Sequence, residues 1–160
     1  MKFSIPTNWD DGLIAEFISN NTLGQIEEIY GKFSLDGLKR RRVIFSSKLA
    51  FQKEKAEHIK KLLNNGFKFN YLLDNLCLDN LEFTIKWQKS MRQLLEWLSI
   101  IGIDSVTVSN IYLAMWIKKN YPLISITVSD MANVDSPRRA KFWEDIGADV
   151  IILPGPVANR

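Results

Sequence analysis

Cysteine and histidine are almost missing from this chain of 160 residues: Cys77 and His58 are the only ones. A lone thiol excludes a disulfide framework, and it cannot by itself build an iron–sulfur cluster or a structural zinc site. Five prolines and eight glycines are too few for a fibrous or disordered chain. No apolar run approaches the ~20 residues that span a bilayer. Near the N-terminus, Pro6, Asn8, Asp10 and Asp11 fall where the hydrophobic part of a signal peptide would continue. There is no phosphate loop, no dinucleotide-binding glycine pattern, no His-Glu-x-x-His and no Gly-x-Ser-x-Gly. These absences together lead to the expectation of a cytoplasmic protein with no membrane partner and no cofactor held by this chain alone.

What is present is an ordinary globular balance, 46% hydrophobic and 24% charged residues, in a length suited to one domain with a sizeable core. Lysine and arginine exceed aspartate and glutamate by 21 to 18. That mild bias is compatible with a nucleic-acid partner and does not by itself indicate one.

Short β-like runs alternate with amphipathic helical stretches. Strands are expected at 2–5, 25–30, 67–73, 105–108, 123–128 and 149–153. Helices are expected after Asp10 and Asp11, over 48–65, through Met91, Leu94, Leu95, Leu98 and Ile101, over 111–120, and from Pro137 to Ile146. Residues 32–47 read as a long loop holding the basic run Lys39-Arg40-Arg41-Arg42, which without interleaved aromatics is usually solvated. Two joints repeat: Gly102-Ile103-Asp104-Ser105-Val106 and Gly147-Ala148-Asp149-Val150-Ile151. Strands separated by helices imply parallel pairing with right-handed crossovers. The expected class is therefore α/β, a partial (β/α) TIM-like barrel of about six parallel strands with helices outside. Residues 1–160 would form a single truncated domain, because a full barrel needs eight strands and ~250 residues. An open doubly wound sheet is the alternative.

In either architecture, function gathers where strands end and lead toward helices. The candidates there are Asn8, Tyr30, Asn70, Asp74, Asn110, Ser129, Asn159 and Arg160. Mostly neutral hydrogen-bonding groups, they suit fixing a polar ligand better than proton transfer. They are expected to converge at one end of the sheet, although Asn, Asp and Ser are also common helix caps. His58, among Glu57, Lys60 and Lys61, reads as part of a solvated helix face. Cys77 reads as a buried structural cysteine, with no base nearby in sequence to form a thiolate. Trp97, Trp116 and Trp143 read as helix packing, and Trp9 stands apart at a strand end. No catalytic residue is named by the pattern.

Several segments together resemble the collagenase-like peptidase family U32. They are Phe69-Asn70-Tyr71-Leu72-Leu73-Asp74, Cys77-Leu78-Asp79-Asn80, the stretch from Ile101 to Asn110, the stretch from Phe142 to Ile151, and the closing Asn159-Arg160. The resemblance implies a TIM-barrel-like N-terminal domain. It also implies a collagenase-like protease, of which this chain would be an incomplete part. Other members act in oxygen-independent hydroxylation of RNA bases or quinone precursors, some with an iron–sulfur cluster on cysteines that lie downstream of the Asn-Arg pair. This sequence departs from the family pattern at Asp74, where Asn is usual, and at Leu38 to Arg42, where a glycine-rich stretch is common. A component of a hydroxylation system and a non-catalytic fragment are therefore alternatives to the peptidase. The substrate class would be a peptide, an RNA or a small aromatic. Open edges at the first and last strands would favour self-association.

Overall fold

The computed structural model describes residues 2–20, 24–32 and 49–155, with 49–52 described for their backbone alone. Among the described residues six strands and five α-helices alternate: β1 (Phe3–Pro6), α1 (Asp11–Ser19), β2 (Ile26–Gly31), α2 (Leu49–Asn64), β3 (Phe69–Leu73), α3 (Ile85–Ile100), β4 (Ser105–Val108), α4 (Ile111–Asn120), β5 (Ser125–Val128), α5 (Pro137–Asp145) and β6 (Val150–Ile151). Sheet order follows chain order. The basic run Lys39 to Arg42, with most of the loop expected around it, and the pair Asn159-Arg160 lie outside the described residues.

The chain divides into two compact units, residues 1–71 with 89–103, and residues 72–88 with 104–160. In the first, β1, β2 and β3 pair in parallel, with Pro6 opposite Tyr30 and Tyr30 opposite Asn70. Successive strand residues face opposite sides. Ile29 and Phe69, both fully buried, share one face, while Glu28 and Asn70 share the other. Ile59 and Leu62 of α2 and Met91, Leu94, Leu95 and Leu98 of α3 supply further core, a 3.6-residue stripe as the sequence leads one to expect.

In the second unit, β4, β5 and β6 pair in parallel, with Val106 opposite Ile126 and Val108 opposite Val128. Thr107 and Thr127 are buried as well, so β4 and β5 are covered on both faces, as parallel strands flanked by helices are. Trp87 packs edge-on to Trp116 with ring centroids 6.0 Å apart.

The repeated Gly-x-Asp joints have a physical cause. Gly102 and Gly147 adopt φ of 93° and 98°, a left-handed conformation open to glycine at little cost. The following amides then close the helices, Ile103 N onto Leu98 O at 2.9 Å and Ala148 N onto Trp143 O at 3.0 Å, the Schellman pattern. At the second joint, Asp149 Oδ2 accepts from Ile126 N at 2.8 Å and Lys118 Nζ at 2.9 Å. Partial burial pushes the Asp149 carboxyl up, but the Ile126 amide and the Lys118 ammonium outweigh it and hold the carboxyl below its usual range. A depressed carboxylate contributes stability above its unfolded pKa that is lost as pH falls through the folded one. Asp149→Asn is therefore expected to cost under about 1 kcal/mol at pH 7, as befits a half-exposed pair. The difference from wild type should shrink below about pH 4. Urea midpoints at pH 7 and pH 3 check this, and a difference that grows in acid contradicts it.

Three expectations are corrected. Leu123 is 94% exposed, and β5 starts only at Ser125, because Pro122 and its neighbours form the turn after α4. The last strand is two residues long, and Ile152 and Leu153 lie half-exposed beyond it. Cys77 is exposed rather than buried, because the segment after β3 turns back at Asp79 and Asn80, with φ of 55° and 61°, leaving the thiol at its rim. Among the described residues, no helix is long and apolar enough to cross a membrane.

Candidate functional site

In the first unit, the polar face of the sheet carries three of the sequence candidates or their partners. Asn70 is 0% exposed, and its Nδ2 donates to Glu28 Oε2 at 3.0 Å. Ser4 Oγ donates to the other oxygen, Glu28 Oε1, at 3.3 Å. Tyr30, half-buried, follows in register beside Asn70. A sheet face that carries a carboxylate and a buried amide costs stability unless each is satisfied, and such places are candidate ligand sites. Glu28 was not singled out by the sequence. Its signal is the doubled acid in Ile26-Glu27-Glu28-Ile29, where alternation puts one acid on each face.

Asn8 lies two residues beyond β1 and is exposed; its Oδ1 accepts from Asp10 N at 3.0 Å. Around it stands a second polar group. Thr7 N donates to Tyr30 O at 2.8 Å, which fixes Thr7 at the end of the sheet. Thr7 Oγ1 accepts from Trp9 N at 3.1 Å and lies 3.2 Å from His58 Nε2. His58 Nδ1 lies 2.8 Å from Asp11 Oδ1, and Lys61 Nζ bonds the other oxygen of Asp11. The Trp9 ring lies beside His58 and Phe69, with centroids 5.6 and 6.0 Å away, and Lys55 Nζ stands 4.0 Å over it. Trp9 has φ of 63°, a left-handed backbone that a bulky side chain adopts only when its surroundings impose it.

His58 is thus 6% exposed, which corrects its reading as part of a solvated face. It sits on the side of α2 that also carries Lys55, Ile59 and Leu62, all buried. A charged neighbourhood in sequence says nothing about which side of a helix a residue takes; its three-residue spacing from Lys55 and four-residue spacing from Leu62 carried the signal. The hydrogen bond from Lys61, and next that from His58, holds the Asp11 carboxyl below its usual range. The cluster therefore keeps its carboxylate partner to lower pH than an unpaired aspartate would.

In the second unit, the candidates largely act as caps. Asn110 Oδ1 accepts from Leu113 N at 3.0 Å, and its Nδ2 donates to Leu76 O at 3.4 Å. Ser129 Oγ accepts from Met131 N at 3.2 Å and lies 3.1 Å from Asp130 Oδ1. Asp74 is half-buried, and its carbonyl accepts from Ser109 Oγ at 3.2 Å. Of these, Asn110 also lines an open cleft of ≈ 340 Å³, together with Leu76, Cys77, Leu78, Asp79, Asn80 and Glu82. Glu82 is buried there, and its Oε2 has no hydrogen-bond partner among the described residues. No group of three or more His, Cys, Asp and Glu among the described residues is placed to hold a metal ion.

Comparison with known proteins adds to this geometry. The model of Peptidase family U32 matches residues 48–157. The chain belongs to peptidase family U32. A curated relative, the uncharacterized protease MJ1657 of Methanocaldococcus jannaschii, is 28% identical over 105 residues, 66% of this chain and 31% of that protein. The solved U32 peptidase Mk0906 superposes with a TM-score of 0.69 at 21% identity, over 96% of this chain and 58% of that one. That likeness establishes the fold, an α/β partial barrel of six parallel strands with helices. The chain spans about a third of the curated relative and somewhat over half of the solved one.

Proposed function

We propose that this chain contributes part of the barrel of a collagenase-like peptidase that hydrolyses peptide bonds. Membership in family U32 is the observation that carries the reading, and the relative's description as a protease agrees with it. The polar strand ends suit the substrate class. Half-buried Tyr30 and Glu28 offer a hydroxyl and a carboxylate to an extended peptide, whose own backbone groups need partners wherever water is excluded, and buried Asn70 holds Glu28 in place. The residues of this chain bind and orient such a polar substrate without a cofactor of their own, in a cytoplasmic protein. The basic run Lys39 to Arg42, which would favour an RNA substrate, lies outside the described residues.

The test uses the full-length protein that contains this chain. Incubated with denatured collagen and a mixed peptide library, it is expected to generate new peptide termini detectable by mass spectrometry. Glu28→Gln is expected to lower kcat/KM by about tenfold or more, the scale of a lost hydrogen bond to a charged group. A pure, folded protein that yields no new termini from either substrate would sink the peptidase reading.

A further inference from the structure

We propose that Thr7, His58 and Asp11 form a nucleophile relay, with the Thr7 hydroxyl as attacking group, His58 as its base and Asp11 as the residue that positions His58. The inference rests on the hydrolytic reading above and assigns the residues that would perform it.

With His58 neutral the hydrogen bonds take one polarity, whereas an imidazolium would donate to both Asp11 and Thr7 Oγ1, whose second lone pair can accept. The Trp9 amide donates to Thr7 Oγ1, and Asp11 can only accept. A neutral His58 therefore carries its proton on Nδ1, aimed at Asp11 Oδ1 2.8 Å away. Its Nε2 is left free to accept from the Thr7 hydroxyl at 3.2 Å. That is the tautomer and the spacing nucleophile activation requires. The surroundings hold it in place. Trp9 packs beside the imidazole, Lys61 pairs with the far oxygen of Asp11, and the Thr7 backbone is tied to Tyr30. Thr7 itself is half-buried, at the strand end where barrel chemistry gathers.

The step balances without a co-reactant other than water. Thr7 Oγ1 bonds to the scissile carbonyl carbon while its proton moves to His58 Nε2. The carbon–nitrogen bond then breaks, and the leaving amine takes that proton. Water attacks the resulting ester, giving one proton to His58. As the carbon–oxygen bond to Thr7 breaks, that proton returns to Oγ1 and a carboxylic acid leaves.

The test treats the full-length protein with an alkyl fluorophosphonate, locates the adduct by mass spectrometry, and measures peptide cleavage in parallel. Labelling at Thr7 in wild type and in Thr7→Ser is expected. Thr7→Val and His58→Gln should lose the label and lower kcat/KM by about a thousandfold or more. Asp11→Asn should slow labelling and displace its pH profile, which a merely structural role would not do. Thr7→Ser, which keeps the hydroxyl, guards against a misfolded valine variant. Cleavage that survives in Thr7→Val, or a label on another residue, overturns the relay while leaving the peptidase reading intact. A label on Thr7 without peptide cleavage supports the relay and overturns the peptidase reading. A folded wild type with neither label nor cleavage overturns both.

Discussion

Gly31→Ala is expected to destabilise the protein by about 1–3 kcal/mol and to pull Thr7 away from His58. Gly31 ends β2 and is buried. A Cβ there would come within 2.5 Å of Thr7 Cγ2, with Trp9 Cζ2 at 3.4 Å and Phe69 Cζ at 3.7 Å. Thr7 has little room to yield. Its amide is bonded to Tyr30, its hydroxyl lies between Trp9 and His58, and a β-branched side chain has few alternative rotamers. The conflict is with the methyl alone, and serine lacks it. The double variant Gly31→Ala with Thr7→Ser should therefore recover most of the loss, a coupling that a double-mutant cycle in urea isolates. Equal losses in the presence and absence of the Thr7 methyl would contradict the packing described.

Leu95→Ala is expected to cost about 2–5 kcal/mol, the usual range for removing a fully buried leucine and leaving a cavity. Leu95 is 0% exposed on the inner stripe of α3, and Leu98 and Met91 one turn on either side of it are equally enclosed. Ile100, on the same helix and 78% exposed, provides the control. Its alanine variant should remain within about 0.5 kcal/mol of wild type. Urea midpoints for the two variants measure the contrast, and similar losses would mean that α3 is rotated from the face described.

The contrast between those two residues also shows what a sequence of this kind reveals. Helices with a clear apolar period, such as α3, and stops at Gly66, Gly102 and Gly147 are legible because periodicity and left-handed glycine are local properties. The family was legible because several segments of strand and turn kept their order and spacing. The length of β6 was not, since an apolar run such as Val150-Ile151-Ile152-Leu153 states a preference for burial and not the pairing that supplies it. Asn110 and Ser129 stand at the expected strand ends, yet much of their hydrogen bonding goes to starting the next helical turn, a double use that residue type alone does not separate. His58 was misread because its partners, Thr7 and Asp11, are 51 and 47 residues away. Proximity of that kind is created by the fold and leaves no trace in neighbouring sequence. Glu28 was passed over for a related reason: its partner Asn70 comes from the adjacent strand.

Peptide cleavage by the full-length protein in water labelled with heavy oxygen tests the hydrolytic reading most directly. Hydrolysis places one labelled oxygen in each newly formed C-terminal carboxylate, and Thr7→Val should abolish both the cleavage and the label. Peptides recovered intact, with a single oxygen added to an RNA or aromatic substrate instead, would contradict the account.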